Sequence, residues 1–465
     1  MNISPLSIGT IHLIGIGGIG MSGIAEILHS LGHKVQGSDM GENTNTDRLK
    51  KLGISVFLGH TASNLENVSI IVPSSAVKPS NPELVAAKEM GIPVIPRSEM
   101  LAELMRFKAT ISVAGTHGKT TTTSLVGTLL EAGNLDPTII NGGIINSLNT
   151  NAKIGDGNWM VVEADESDGT FIKLPSTIAI ITNIDPEHME HFGTFENLTR
   201  SFLQFAQQIP FYGFSVLCVD HPVVRSLIPH ITNRRYITYG IENEANCMAS
   251  NIRALPTGTH FDLIYKERTL KDLHLSLHGT HNILNCLAAI IVALELDISE
   301  KIIRQALSEF QGVKRRFTQT GVVQGITIID DYGHHPTEIA AVLKAVRAVT
   351  KKQVIAVVQP HRFSRVKDLF PEFSRCFQDA DQIIIAPIYA AGESPIEGVT
   401  HKALEQAIKQ HFKGSVYTIE NPSELPRLIH KIASPGDYVI CLGAGTISEW
   451  ANKLPENLQT LYEKN

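Results

Sequence analysis

Cysteine is scarce in this 465-residue chain. Its five cysteines (Cys218, Cys247, Cys286, Cys376 and Cys441) stand far apart with no Cys-x-x-Cys pair, which excludes a disulfide-stapled scaffold and fits a reducing, cytoplasmic setting. A basic footprint is missing as well: 40 Lys and Arg face 46 Asp and Glu, the formal charge is −6, and the cationic residues are scattered rather than blocked. Nucleic acid is therefore not an expected partner, and anionic ligands have to be held by local geometry. Long uninterrupted apolar runs are absent too. The apolar stretch Ile11 to Ile24 is broken by Gly15, Gly17, Gly18, Gly20 and Gly23, has no basic region before it and meets Glu26 soon after, so it is neither a signal peptide nor a membrane span, and no membrane partner is expected. No repeat of roughly 20–50 residues and no low-complexity tract occurs, which argues against solenoids and disordered tails.

What is present is a soluble composition, 43% hydrophobic and 18% charged, long enough for about three domains at ~150 residues each. Strand-like apolar runs alternate with helical patterns, which predicts α/β architecture with parallel sheets. Residues 1–107 show strands at 11–16, 34–38 and 70–73 and a helix at about 22–31. Residues 108–312 show strands at 111–114, 160–164 and 178–183, helices after Lys119 and Glu196, and a long helix over 281–295. Residues 313–465 repeat strand then helix: 326–330 before 336–349, 354–359 before 365–377, 382–387 before 402–412, and 438–442 before 448–453. The last segment predicts a doubly wound sheet of Rossmann type.

The most specific motif is Gly115-Thr116-His117-Gly118-Lys119-Thr120-Thr121, which ends a β-like run and opens a helix. It reads as a phosphate cradle. Backbone N–H groups and the positive helix end meet the phosphates, Lys119 meets the β/γ charge, and Thr120 offers a hydroxyl to magnesium. The loop is shorter than the usual G-x-x-x-x-G-K-[ST] because Val113 stands where the first glycine would be. ATP is the expected ligand.

A second glycine turn, Gly15-Ile16-Gly17-Gly18-Ile19-Gly20, also joins a strand to a helix, with Asp39 closing the next strand. It suits a dinucleotide, but N–H groups at a helix start serve any diphosphate, a UDP-sugar included. Acids follow the strand at 160–164: Glu163, Asp165, Glu166 and Asp168, with Glu163 the foremost magnesium ligand since that ion takes hard oxygen donors. The run Asn183-Ile184-Asp185-Pro186-Glu187-His188 follows the next strand, and His188 is a candidate ligand for a second metal.

Together these motifs, with His281-Asn282-Ile283-Leu284-Asn285 and Asp330-Asp331-Tyr332-Gly333-His334-His335-Pro336, resemble the Mur ligases of bacterial cell-wall synthesis, from Ile11 to about Gly445. The shortened loop is shared with folylpolyglutamate and cyanophycin synthetases. The resemblance implies an N-terminal Rossmann-like UDP-binding domain, a central P-loop mononucleotide-binding α/β ATPase domain and a C-terminal Rossmann-like lid. It also implies roles. Lys119 would hold phosphate, Thr120, Glu163 and His188 would set two magnesium sites, and Asn282 and Asn285 would face adenine with both a donor and an acceptor. Arg316 would reach ATP phosphate across a hinge, and Asp331 would touch the nucleotide sugar or Arg316. Tyr332, His334, His361, Arg362 and Arg365 would form the amino-acid pocket, its arginines suited to a carboxylate. Gly15, Gly17, Gly18 and Gly20 would hold the UDP diphosphate, with Asp39, Ser74, Ser75 and Arg97 nearby.

Several Mur ligases carry a carbamylated lysine after the histidine loop. Here no lysine occurs between Lys173 and Lys266, and Phe202 falls about at that place, a gap expected of the members that add L-alanine. The expected reaction is ATP-driven amide formation between the carboxylate of UDP-N-acetylmuramate and L-alanine through an acyl phosphate, with Lys119, Glu163, His188, Arg316 and His334 as the reacting-centre residues and His188 or His334 as the proton acceptor. A monomer or weak homodimer is expected. Three rivals are a ligase of the same family that recycles a murein tripeptide, a nicotinamide-dependent dehydrogenase resting on Gly15–Gly20 and Asp39, and an ATP-binding module without chemistry.

Overall fold

The computed structural model describes residues 8–464 apart from 75, 149 and 168, so Ser75 and Asp168 lie outside the described residues. Its contacts divide it into two compact units. One comprises 1–250, 262–271 and 284–311, the other 251–261, 272–283 and 312–465.

The first unit opens with a four-stranded parallel sheet in the order Ser55–Leu58, Val35–Asp39, Thr10–Ile14, Val68–Pro73. The apolar run Ile11–Ile14 is wholly buried, as expected of a strand covered on both faces. The helix begins at Ile19 rather than at 22 and runs to Ser30, because Gly18 already serves as its N-cap in an extended conformation. The larger sheet has ten strands. Its centre is Ala109–Ala114, flanked in parallel by Trp159–Glu163 and Ile178–Ile181. Their carboxyl ends form one edge, and the helix Lys119–Ala132 starts from it. The sheet continues in parallel through Phe214–Cys218, Tyr236–Gly240 and Cys247–Leu255 on one side and Thr138–Ile145 on the other, and Thr138–Ile145 in turn pairs antiparallel with Thr150–Lys153.

In the second unit a six-stranded sheet runs in the order Thr318–Val323, Ile326–Asp331, Tyr438–Leu442, Val354–Val358, Gln382–Ile385, Ser415–Thr418. Only the first pair is antiparallel. The doubly wound expectation holds, with two corrections. The helix expected over 365–377 is two short ones, Phe363–Asp368 and Phe370–Phe373, since Leu369 leaves helical geometry and Pro371 lacks the N–H that would continue the ladder. The last helix does not stop at 453 but spans Ile447–Lys464 with Pro455 inside. Buried Leu454 and Leu458 hold it to the core, and Gly321 makes room: a Cβ there would come within 2.8 Å of the Pro455 ring.

No helix among the described residues is long and apolar enough to cross a membrane.

Candidate active site

At the carboxyl edge of the large sheet the chain turns at Gly115 (φ +132°) and Gly118 (φ +81°), conformations that only glycine adopts freely. The turn is packed tightly. A Cβ on Gly118 would lie 2.5 Å from Asn285 Oδ1, and one on Gly115 2.1 Å from Thr182 Oγ1. The loop is further tied by His117 N–H donating to Asn183 Oδ1 at 2.7 Å and by Asp185 N–H donating to Thr116 Oγ1 at 2.8 Å. The glycine loop, the Asn183–Asp185 turn and Asn285 are therefore one assembly.

Lys119 extends into a cage of acids. Its Nζ donates to Glu166 at 2.9 Å and to the Thr116 carbonyl at 3.2 Å. Burial opposes its charge, but Glu166, Asp165 and Glu163 outweigh that and hold the ammonium above its ordinary range. Burial pushes the Glu166 carboxyl up while Lys119 pulls it back. Thr120 Oγ1 lies 3.1 Å from Glu163 Oε1, and Glu163 Oε2 accepts the Gly142 N–H at 2.7 Å. A hydroxyl beside a fixed carboxylate is a hard-oxygen donor set that fits magnesium. Among the described residues no group of three or more His, Cys, Asp or Glu is arranged to hold a cation. His188 sits in the left-handed region (φ +59°), Nε2 3.9 Å from Glu166 Oε1 and 3.8 Å from Glu187. The lysine, Thr120, Glu163 and His188 thus converge.

Two residues of this edge were not singled out from sequence. Asp185 lies 3.2 Å from His117 Nε2 and 3.4 Å from His221 Nε2. Burial alone would raise its carboxyl, yet hydrogen bonds from the two histidines hold it well below the usual range. His221 carried no signal, since it comes from a separate loop after Cys218. Phe202, at the place of the missing lysine, is fully buried, and its ring lies 5.0 Å from that of Phe171. No carbamate fits there.

The N-terminal turn is built around side chains. Gly17 N–H donates to Asp39 Oδ2 at 2.8 Å. A Cβ on Gly20 would strike Arg97 at 2.7 Å, and one on Gly15 (φ +76°) would come 3.1 Å from Ser74 Cβ, so both positions keep a side chain close over bare backbone. Gly18 caps the helix. Ser74 and Arg97 line a cavity of about 220 Å³ with Val77, Leu84 and Thr170, and Arg97 lies 3.7 Å from Asp165. Gly15, Gly17, Gly18, Gly20, Asp39, Ser74 and Arg97 are thus brought together.

The second unit gathers the remaining residues. Arg315 and Arg316 flank the Tyr332 ring at 4.6 and 5.0 Å. Arg316 also lies 3.8 Å from Glu338, and the Arg315 guanidinium donates to the Gly443 carbonyl at 3.0 Å. Asp331 accepts N–H groups from Phe317 and Gly333, both at 2.7 Å. Burial pushes its carboxyl up to about 6 against the pull of Arg316. The rings of Tyr332 and His334 are 5.3 Å apart and those of His334 and His361 5.7 Å, with Arg365 Nη1 3.3 Å from His361 Nδ1. Burial, helped by His334 and Arg365, pushes His361 down to about 4. Arg362 (φ +68°) turns the chain into the helix Phe363–Asp368. Asn282 donates to the His278 carbonyl at 2.8 Å. Glu338, not singled out from sequence, accepts the N–H groups of His334 and His335; its place three residues after the N-cap His335 was the available signal.

These constellations can be set beside known proteins. Three family models match in succession: the Mur ligase family catalytic domain over residues 10–109, the Mur ligase middle domain over 113–293 and the Mur ligase glutamate ligase domain over 315–445. The chain belongs to the Mur ligase family. Among its curated relatives, a UDP-N-acetylmuramate--L-alanine ligase of Rhodospirillum rubrum is 54% identical over 99% of this chain and 97% of its own. One of Xanthobacter autotrophicus is 55% identical over 98% of each. Among solved structures, a UDP-N-acetylmuramate-alanine ligase from Thermotoga maritima matches with a TM-score of 0.83 at 29% identity, covering 97% of this chain and all of the other. A murein peptide ligase from Psychrobacter arcticus matches with 0.70 at 22% identity over 97% of this chain and 99% of its own, a likeness of fold. Membership of this Mur family accounts for the three α/β segments and for a glycine loop with lysine at the centre of the chain.

Proposed function

We propose that this Mur ligase joins L-alanine to the lactyl carboxylate of UDP-N-acetylmuramate with conversion of ATP to ADP and phosphate, a cytoplasmic step of peptidoglycan precursor synthesis that serves cell shape and division. The observation that carries this reading is the 54–55% identity to L-alanine ligases over nearly the whole of both chains. The division into residues 1–107 for the UDP-substrate, 108–312 for ATP and 313–465 for the amino acid is part of the proposal.

An ionised carboxylate resists an amine at neutral pH, because oxide is not a viable leaving group. Attack of the muramyl carboxylate on the γ-phosphorus of ATP removes the obstacle, giving an acyl phosphate and ADP. The alanine amine then adds to the carbonyl carbon, and phosphate leaves with the bonding pair. Lys119, held protonated by its acid cage, neutralises phosphate charge once ATP competes for it with Glu166. Gly115–Thr121 supply backbone N–H groups, and Asn282 and Asn285 present amides to the base. Thr120 and Glu163 hold one magnesium ion and His188 a second, ions that supply charge neutralisation at the phosphates when bound. Arg316 reaches phosphate, and Asp331 fixes the Arg316–Tyr332 corner through its two backbone bonds. Gly15–Gly20, Asp39, Ser74 and Arg97 hold the UDP-sugar. Arg362 and Arg365 bind the alanine carboxylate, while Tyr332, His334 and His361 shape the pocket. With His361 held neutral, His334 is the better placed acceptor for the ammonium proton.

The test is phosphate release from ATP and magnesium with UDP-N-acetylmuramate and each of L-alanine, glycine, L-glutamate and the recycling tripeptide. Release that requires both the sugar nucleotide and L-alanine supports the reading. Release with the tripeptide alone moves the chain to the recycling branch, and none at all leaves a binding module.

A further inference from the structure

Four aromatic rings stand in a row in the second unit: Tyr332, His334, His361 and Tyr389, with successive centroids 5.3, 5.7 and 5.5 Å apart. Three belong to the amino-acid pocket proposed above. Tyr389 ends the row and has no role so far. Its ring lies within 15° of parallel to His361. Backbone bonds hold it on both sides: its N–H donates to the Pro360 carbonyl and its carbonyl accepts the Arg362 N–H, each at 2.8 Å. Gly445 lies against the base of the ring, where a Cβ would come within 2.7 Å of Tyr389 Cγ. Gly445 in turn is anchored by the Arg315 guanidinium, which donates to its carbonyl at 3.2 Å. The Tyr389 hydroxyl makes no hydrogen bond with the described residues, and 38% of the residue remains accessible. A large flat side chain is therefore fixed by backbone and packing, while its polar end is not used by the fold.

We propose that Tyr389 is a specificity-determining residue, its ring being the wall that restricts the amino-acid substrate to a methyl-sized side chain. The inference rests on the amino-acid pocket named under the proposed function. If Arg362 and Arg365 take the α-carboxylate beside His361, the substrate side chain has to lie along the row of rings, and Tyr389 closes it. The ring cannot retreat toward Gly445, which lies so close to its base that even a Cβ there would come within 2.7 Å of Tyr389 Cγ. Such a wall rejects a larger side chain by overlap and a smaller one only by the contact it forfeits. Selection against larger residues is thus steep, and against glycine it stays within about 10–200-fold.

The experiment measures kcat/KM by phosphate release for L-alanine, L-2-aminobutyrate and L-valine at saturating ATP and UDP-N-acetylmuramate, in the wild type, Tyr389→Phe, Tyr389→Leu and Tyr389→Ala. Tyr389→Phe is expected to keep the wild-type preference within about threefold. Tyr389→Ala is expected to shift it at least about tenfold toward the larger substrates, with the KM for ATP unchanged. Tyr389→Leu keeps an apolar contact with His361 and Gly445 while shortening the wall, and it carries the same test if the alanine variant does not fold. A folded, active Leu or Ala variant with an unchanged preference overturns the wall. Absence of turnover with L-alanine in the wild type overturns the ligase reading instead, so the two failures are distinguishable.

Discussion

Replacing Lys119 by methionine removes the ammonium that pairs with Glu166, whose side chain is 2% exposed. The lost ion pair leaves a buried carboxylate with an acidic neighbour, Asp165. Breaking such a pair on one side costs about 3–5 kcal/mol if the remaining charge must stay. Glu166 has an escape, since it can bind a proton. From an ordinary value of 4.5, protonation at pH 7 costs about 3.4 kcal/mol, which caps this part of the loss. The sign follows from linkage: with its folded pKa raised, Glu166 in the variant contributes stability that is fully present below 4.5 and is lost as the pH rises through the folded value. The gap between wild type and Lys119→Met should therefore widen by up to about 1.4 kcal/mol per pH unit from pH 5 to 7, on the order of 5 °C in melting temperature over that range for a unit of this size. Thermal melts at pH 5, 6 and 7 read the gap, and Lys119→Met/Glu166→Gln should abolish its pH dependence. A gap that is constant across that range would refute the coupling, and with it the account of how Lys119 is kept charged.

Gly118→Ala should raise the KM for ATP by at least about tenfold, because a Cβ at φ +81° and 2.5 Å from Asn285 Oδ1 has to displace that amide; ATP titration of the variant reads this, and an unchanged KM rejects Asn285 as part of the site. Phe202→Lys should cost at least about 3–5 kcal/mol without improving magnesium dependence, since the position lies in a sealed cluster with Phe171; a variant as stable as the wild type in urea would contradict the packing argument. Asp331, raised to about 6, contributes stability that is present below about 4 and lost as pH rises through 6, on the order of 3 kcal/mol. Asp331→Asn should flatten that part of the stability profile in denaturant titrations, and an unaltered profile would place the titration elsewhere.

The sheet strands were legible where apolar β-branched runs are buried on both faces, as at Ile111–Ala114 or Val354–Val358, because burial leaves period and composition no freedom. The strands Cys247–Leu255, Gly258–Tyr265 and Arg268–Leu275 were not legible, since strands in which buried positions are interleaved with accessible ones take polar residues that a loop would also accept. Helix ends failed where a local rule was overridden. Gly18 starts a helix three residues early, and Pro455 is carried through one because Leu454 and Leu458 are buried.

The sequence by itself determined the chemistry on offer: a glycine loop with Lys119 and Thr120, acids after one strand, His188 after the next, and arginines beside histidines in the last segment. Residue type and spacing along one strand-turn-helix suffice for that, because such a loop is a local structure. Only the tertiary structure decided that Lys119 is held by Glu166, that Asp185 lies between His117 and His221, that Asn285 presses on Gly118, and that Tyr389 closes the row begun by Tyr332. Lys119 and Glu166, like Asp185 and its two histidines, follow different strands of one sheet, Asn285 comes from the helix Thr280–Glu295, and Tyr332 and Tyr389 follow two strands of the six-stranded sheet; sequence spacing carries no information about contacts between such separate elements.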